Sequence, residues 1–173
     1  MTTSLYDMSV TSYQQTVGGV AHFLKRGLDH FTDAGIDPNG IVETRLYEDM
    51  APLRFQIWSV AHHSLGAIEG IKKGVFTPPS ALPSLDYAGL QKVVADTAEA
   101  LAKLTPDEVN ALSGKDVAFQ FGEFKMPFIA ETFVMSFSLP NFYFHAATAY
   151  DILRHKGAPL GKRDFMGKLR MKA

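Results

Sequence analysis

The sequence predicts an all-α fold: a four-helix bundle with a small β-hairpin between helices three and four. Three observations predict it. Apolar residues recur at helical spacing over four long stretches. Proline- and glycine-bearing connectors separate those stretches. One short segment alternates apolar and polar residues at strand period instead. The 173 residues suffice for one domain with its own core, and we read 1–173 as that single domain.

The first helix is expected over Val10–Ala34. Tyr13, Val17, Val20, Leu24, Leu28 and Phe31 fall on one stripe at 4-3-4-4-3, with Ser9 as N-cap and Gly35 as the stop. Gly18-Gly19 weakens this helix locally, and such a pair often admits a close neighbour. His22 and His30 fall off the stripe and are read as solvent-facing. A turn at Ile36-Asp-Pro-Asn-Gly40 leads to a short helical segment around Ile41–Leu46.

Helix two starts after Pro52 and is expected to run to Lys73, stopped by Gly74. It carries two apolar stripes. Leu53, Ile57, Val60, Ser64, Ile68 and Ile71 form one; Phe55, Trp58, His62 and Leu65 form the other. A helix apolar on two sides is buried on two sides, so the second stripe has a further helix or a second subunit as its partner.

Thr77–Pro83, with three prolines, reads as a stiff extended connector. Helix three follows from Tyr87 to Leu104, with Leu90, Val94, Leu101 and Leu104 inward. Thr105-Pro-Asp-Glu108 has the form of a capping box and starts a short helix. The hairpin is placed at about 116–128: Val117, Phe119 and Phe121 alternate, Gly122-Glu123 turns, and Phe124, Met126 and Phe128 alternate again. Helix four runs from near Ala130 to Lys156 with a kink at Pro140. Gly157 and Pro159 end it, leaving a basic tail, 158–173, that reads as ordered over Leu160–Phe165 and frays from Met166.

Composition excludes several function classes. Apolar residues make up 46% of the chain and charged residues 20%, and the net charge is −1, so no basic field recruits nucleic acid. No apolar run reaches the ~20 residues of a membrane span, so no membrane partner is expected. The N-terminus lacks a basic segment followed by an apolar one, which argues against a secretory leader. The absence of cysteine removes disulfides, thiolate metal ligands and thiol nucleophiles, and suits a cytoplasmic protein.

Candidate chemistry centres on helix four. Asn141 and His145 stand four residues apart, hence on one face, in an otherwise aromatic and aliphatic run. A polar pair facing a core is satisfied by a side chain, water, a metal or a ligand. A buried His–Asn hydrogen bond that fixes packing is the plainer alternative. His62 lies on the Phe55–Trp58 stripe and is the inward member of the His62-His63 pair, since adjacent helical residues point about 100° apart; His63 is placed at an edge. We take Asn141, His145, Trp58 and Tyr150 as ligand-binding candidates, and His62 with His145 as metal-binding candidates. The 161–164 Gly-Lys-Arg-Asp run fits an anion or, more ordinarily, surface ion pairs.

Leu139-Pro-Asn-Phe-Tyr-Phe-His145, Ala149-Tyr-Asp-Ile-Leu-Arg-His-Lys-Gly157 and Leu160-Gly-Lys-Arg-Asp-Phe165 together resemble the C-terminal signature of a bacterial family known as a domain of unknown function. That family is placed in the DinB/YfiT-like metalloenzyme superfamily. Leu5-Tyr-Asp7, Gly35-Ile-Asp-Pro38, Asp49-Met-Ala-Pro-Leu53 and Phe55-Gln56 fit it too, so the resemblance spans nearly the whole chain. It implies a four-helix bundle, commonly dimeric, in which three histidines hold a divalent metal: one on the second helix and two spaced four apart on the last. Counted back from Arg154 and Gly157, the pair falls on Asn141 and His145. The second-helix position falls near Ile57 or Trp58, where no ligand stands, with His62 one turn on. The metal site therefore reads as eroded or rebuilt, with zinc or nickel weakly held or absent. The resulting expectation is a homodimeric DinB-like protein with a degenerate metal-site region that binds a small molecule inside the bundle. Two alternatives stand beside it. One is a metal-dependent transferase or hydrolase acting on low-molecular-weight thiol conjugates; the other is a non-catalytic dimeric structural protein.

Overall fold

The stripe from Tyr13 to Phe31 becomes the inner face of the longest helix in a computed structural model that describes residues 3–79 and 82–172. After a four-residue turn of helix, α1 (Leu5–Met8), α2 spans Val10–Asp33 and buries Tyr13, Val17, Val20, Leu24 and Phe31 completely, with Leu28 packed against them. Gly35, at φ +68°, provides the left-handed stop. The next helical turn comes earlier than expected, as a 3₁₀ turn at Pro38–Ile41 rather than a segment at 41–46. Asp37 explains the shift, because its carboxylate accepts from Asn39 N (2.9 Å) and caps the turn with Pro38 at its first position.

Helix two is not continuous. It divides into α3 (Leu53–His62) and α4 (Leu65–Lys73), with His63 and Ser64 between. Ser64 Oγ donates to Val60 O (2.6 Å), competing with the helical ladder at this point. The apolar stripe runs through the interruption unchanged, which is why the pattern does not announce it. Val75–Phe76 then forms a two-residue strand, β1, that alternation cannot reveal. Of the proline-rich connector, Thr77–Pro79 and Leu82–Pro83 are irregular; Ser80 and Ala81 lie outside the described residues.

Helix α5 (Tyr87–Ala102) is capped by Asp86, which accepts from Gly89 N at 2.7 Å. The short α6 (Pro106–Asn110) is capped by Thr105. The hairpin is β2 (Asp116–Phe121) and β3 (Phe124–Ile129), with Gly122 supplying positive φ in a two-residue turn. β1 adds in parallel to β2, giving a three-stranded sheet in the order β1-β2-β3. Its inner phenylalanines, Phe76, Phe119 and Phe128, pack on Phe133 and Phe137 of the last helical stretch with ring centroids 4.9 to 6.1 Å apart for the pairs with Phe137. Phe121 and Phe124, at the tip, stay exposed.

The last helical stretch is one run in three parts: α7 (Ala130–Phe133), a π turn at Val134–Ser138, and α8 (Leu139–His155). The π turn ends where Pro140, which has no N–H to give, enters the run. The ordered part of the tail takes the form of a helix: Lys162–Met166 forms α9, docked on α2. α2 packs against α5 and α8, and α3 against α8 and α5, so the fold is mostly helical with a small sheet at one side. No helix among the described residues is long and apolar enough to cross a membrane.

Candidate functional site

A cavity of about 390 Å³ opens between α3, α8 and the inner face of the sheet. The break at His63–Ser64 and the π turn at Val134–Ser138 shape it together. Ser138 Oγ donates to His63 O (2.6 Å), and Tyr13 Oη, fully buried, donates in turn to Ser138 Oγ (2.6 Å). The π turn thus holds the backbone of the broken helix, and α2 braces both.

Three histidines line this cavity: His62, His63 and His145. Turning the chain at residue 63 brings both members of the adjacent pair to the same space, although a regular helix would splay them by about 100°. His63 and His145 lie nearly parallel, centroids 5.7 Å apart at 21°. His62 packs on Phe76 at 4.4 Å. Burial lowers the basicity of all three. It takes His63 down to about 3, with His62 and His145 adding repulsion, and His145 down to about 4, with His62 adding. All three imidazoles are neutral at pH 7.

Gln56 is the residue the sequence pattern missed. It is 2% exposed, its Nε2 donates to Ala51 O (2.8 Å), and its Oε1 faces His145 Nδ1 at 2.7 Å. An amide oxygen only accepts, so Nδ1 carries the proton and His145 Nε2 carries the lone pair. The available signal was the spacing of Gln56, Ser59 and His63, which recur at three and four. Asn141 and His145 do share a continuous helix, and both line the cavity. Asn141 Nδ2 donates to Phe137 O (2.7 Å) in the π turn, so it does not bond His145. Trp58 stands one wall away, in a groove of about 250 Å³ that shares His62 and Pro79 with the cavity. Tyr150 stands apart from both. Its hydroxyl donates to Leu160 O (3.2 Å) and its ring packs on Phe23 and Phe165, where it anchors the tail.

Three buried polar atoms have no hydrogen-bond partner among the described residues: Trp58 Nε1, His62 Nε2 and His63 Nδ1. All three line the cavity or its neighbouring groove. These residues do not make up the three-histidine donor set that the superfamily resemblance implies. His145 Nδ1 is taken up by Gln56 Oε1, and the other member of the pair on α8, Asn141, is an amide whose Nδ2 bonds Phe137 O. No group of three His, Asp or Glu side chains among the described residues is arranged to hold a metal ion.

The fold is that of the DinB class. A DinB family member protein from Shewanella denitrificans superposes with a TM-score of 0.80 over 98% of this chain and 95% of that one, at 20% identity, a likeness of fold. The family described as Domain of unknown function (DUF1993) matches residues 5–166, and the chain belongs to it. None of the curated proteins matches the chain.

Proposed function

We propose that this is a small-molecule-binding protein whose ligand occupies the cavity between α3 and α8, in a four-helix bundle formed by α2, α3–α4, α5 and α7–α8. One observation carries the reading: an aromatic cavity of about 390 Å³ into whose wall three neutral imidazoles, His62, His63 and His145, are gathered. The volume falls within the range of small-molecule sites. The donor geometry speaks against a three-histidine metal centre, so no metal-dependent reaction is assigned to the site.

Thermal unfolding in the presence of single-ring aromatics tests the reading. Binding raises the midpoint as ligand exceeds its dissociation constant. At least one of toluene, phenol, benzoate and benzylamine is expected to do so, with the effect lost in Ser59→Met, which fills the space. A midpoint unmoved by all four overturns the reading.

We infer in addition a homodimer. Supporting it, Phe121, Phe124 and Phe144 are each more than half exposed, at 67%, 58% and 58%. Light scattering at micromolar concentration checks this, and a monomer there overturns it.

A further inference from the structure

We infer that the ligand of the cavity is an uncharged, planar molecule that donates a hydrogen bond to His145, of the chemical class of phenols. This rests on the binding reading above and names the chemistry that the site selects.

The selection begins at Gln56. Its amide is spent at both ends, Nε2 on Ala51 O and Oε1 on His145 Nδ1. The imidazole is held in the Nδ1–H form, and the nitrogen left over is an acceptor. One turn earlier on the same helix face, Asn141 uses one N–H of its Nδ2 on Phe137 O, which leaves its Oδ1 as an acceptor beside the second N–H. His145 Nε2 can only accept, and Asn141 Oδ1 stands beside it as a second acceptor, so a complementary ligand supplies a donor.

Charge narrows the class further. None of the cavity's lining residues is Asp, Glu, Lys or Arg. A carboxylate entering it finds no cation, an ammonium finds no anion, and either loses its hydration without replacement. A hydroxyl or ring N–H meets an acceptor at much smaller cost. The shape is set by flat walls: Phe55 stands edge-on to His145 at 5.7 Å, and Phe119 lies against Phe137 at 4.9 Å. Planar rings fill such a slot in offset or edge-to-face contact.

The test is a titration of the purified protein at pH 7 with phenol, toluene, benzoate and benzylamine, following the ring nitrogens of ¹⁵N-labelled histidine by NMR. Phenol is expected to bind more tightly than toluene by roughly fivefold, the worth of one neutral hydrogen bond, and to move the His145 Nε2 signal. It is expected to exceed the two charged probes by about tenfold or more. His145→Phe should erase the difference between phenol and toluene. Gln56→Glu places a carboxylate on Nδ1 and favours the imidazolium, which turns Nε2 into a donor; the preference should move from phenol toward benzoate. Benzoate or benzylamine binding the unaltered protein as well as phenol does overturns the inference while leaving a binding cavity in place. So does zinc or nickel chloride alone displacing the His63 and His145 signals together at one equivalent. Silence from all four organic probes overturns the binding reading itself.

Discussion

The tail dock and the cavity are both polar clusters built around histidine, and they are finished in opposite ways. At the dock, the carboxylate of Asp164 receives Gly161 N at 2.7 Å, Arg26 Nη1 at 2.7 Å and His22 Nε2 at 2.9 Å, while Arg26 Nη2 donates to Pro159 O. Those donors, the Gly161 N–H first, hold the Asp164 carboxyl down at about 2. Each strong polar group there has a partner supplied by the chain. At the cavity, His62 and His63 each keep a buried nitrogen without one among the described residues. A cluster closed by its own chain fixes structure; a cluster left open on a cavity wall has capacity for something from outside.

The largest effect expected from breaking the dock comes from the smallest substitution. A Cβ at Gly19 would stand 2.3 Å from the backbone oxygen of Phe165, whereas one at Gly18 meets nothing within 4 Å. Gly19→Ala should therefore lift α9 off α2 and cost about 2–3 kcal/mol. Gly18→Ala should stabilise by about 0.5–1 kcal/mol through helix propensity. Chemical denaturation of both variants measures the contrast, with tail release followed by limited proteolysis near residue 160. Next in size, Asp164→Ala should cost about 1–2 kcal/mol, the loss of charge-assisted hydrogen bonds that water partly replaces at the half-exposed Arg26.

The same contrast separates what could be read in the chain from what could not. Helix α2 was legible because six apolar residues repeat over about five turns, and its Gly-Gly pair correctly suggested a close neighbour. The hairpin was legible from strict alternation about Gly122. The division of helix two was not, because Leu53, Ile57, Val60, Ile68 and Ile71 keep their period across it and only the Ser64 hydroxyl interrupts the ladder. That one local competition misplaced His63, set at an edge by helical geometry and turned to the cavity by the break. Asn141 and His145 were legible as a pair on one face. Their partners, Phe137 O and Gln56, were not, since a π turn and a side chain from another helix decide them. Tyr150 was grouped with the site, but tertiary packing places it on the tail.

Closing the cavity's open polar groups should run the other way in sign. His63→Phe removes an unpartnered nitrogen while keeping a planar ring among Phe76 and Phe137, and is expected to stabilise by about 1 kcal/mol. Its acid response sharpens the comparison. His63 and His145 take up protons near 6.5 when unfolded, but only near 3 and 4 when folded. Between those values the unfolded chain binds more protons, so stability falls as pH drops from about 7 to about 4, at up to ~1.4 kcal/mol per pH unit per histidine. Asp164 acts lower: its carboxyl is at 3.8 when free and about 2 at the dock, so its contribution is present above 4 and lost as pH falls toward 2. Denaturation curves across pH 2–8 should flatten in the upper window for His63→Phe and in the lower one for Asp164→Asn.

The smallest effect expected falls between the two clusters, at the brace on which the cavity depends. Tyr13→Phe deletes the hydroxyl that donates to Ser138 Oγ but leaves the Ser138 hydroxyl bonded to His63 O. Only one hydrogen bond is lost, and the ring keeps its edge contact with Phe142 at 5.1 Å. The cost should be about 0.5–1 kcal/mol. If the brace positions His63, the ring signal of that histidine moves in the variant while those of His22 and His30, on the far side of α2, stay in place. A change spread equally over all the histidines would instead make Tyr13 a general packing residue, and the cavity would then be held by the Ser138–His63 bond alone.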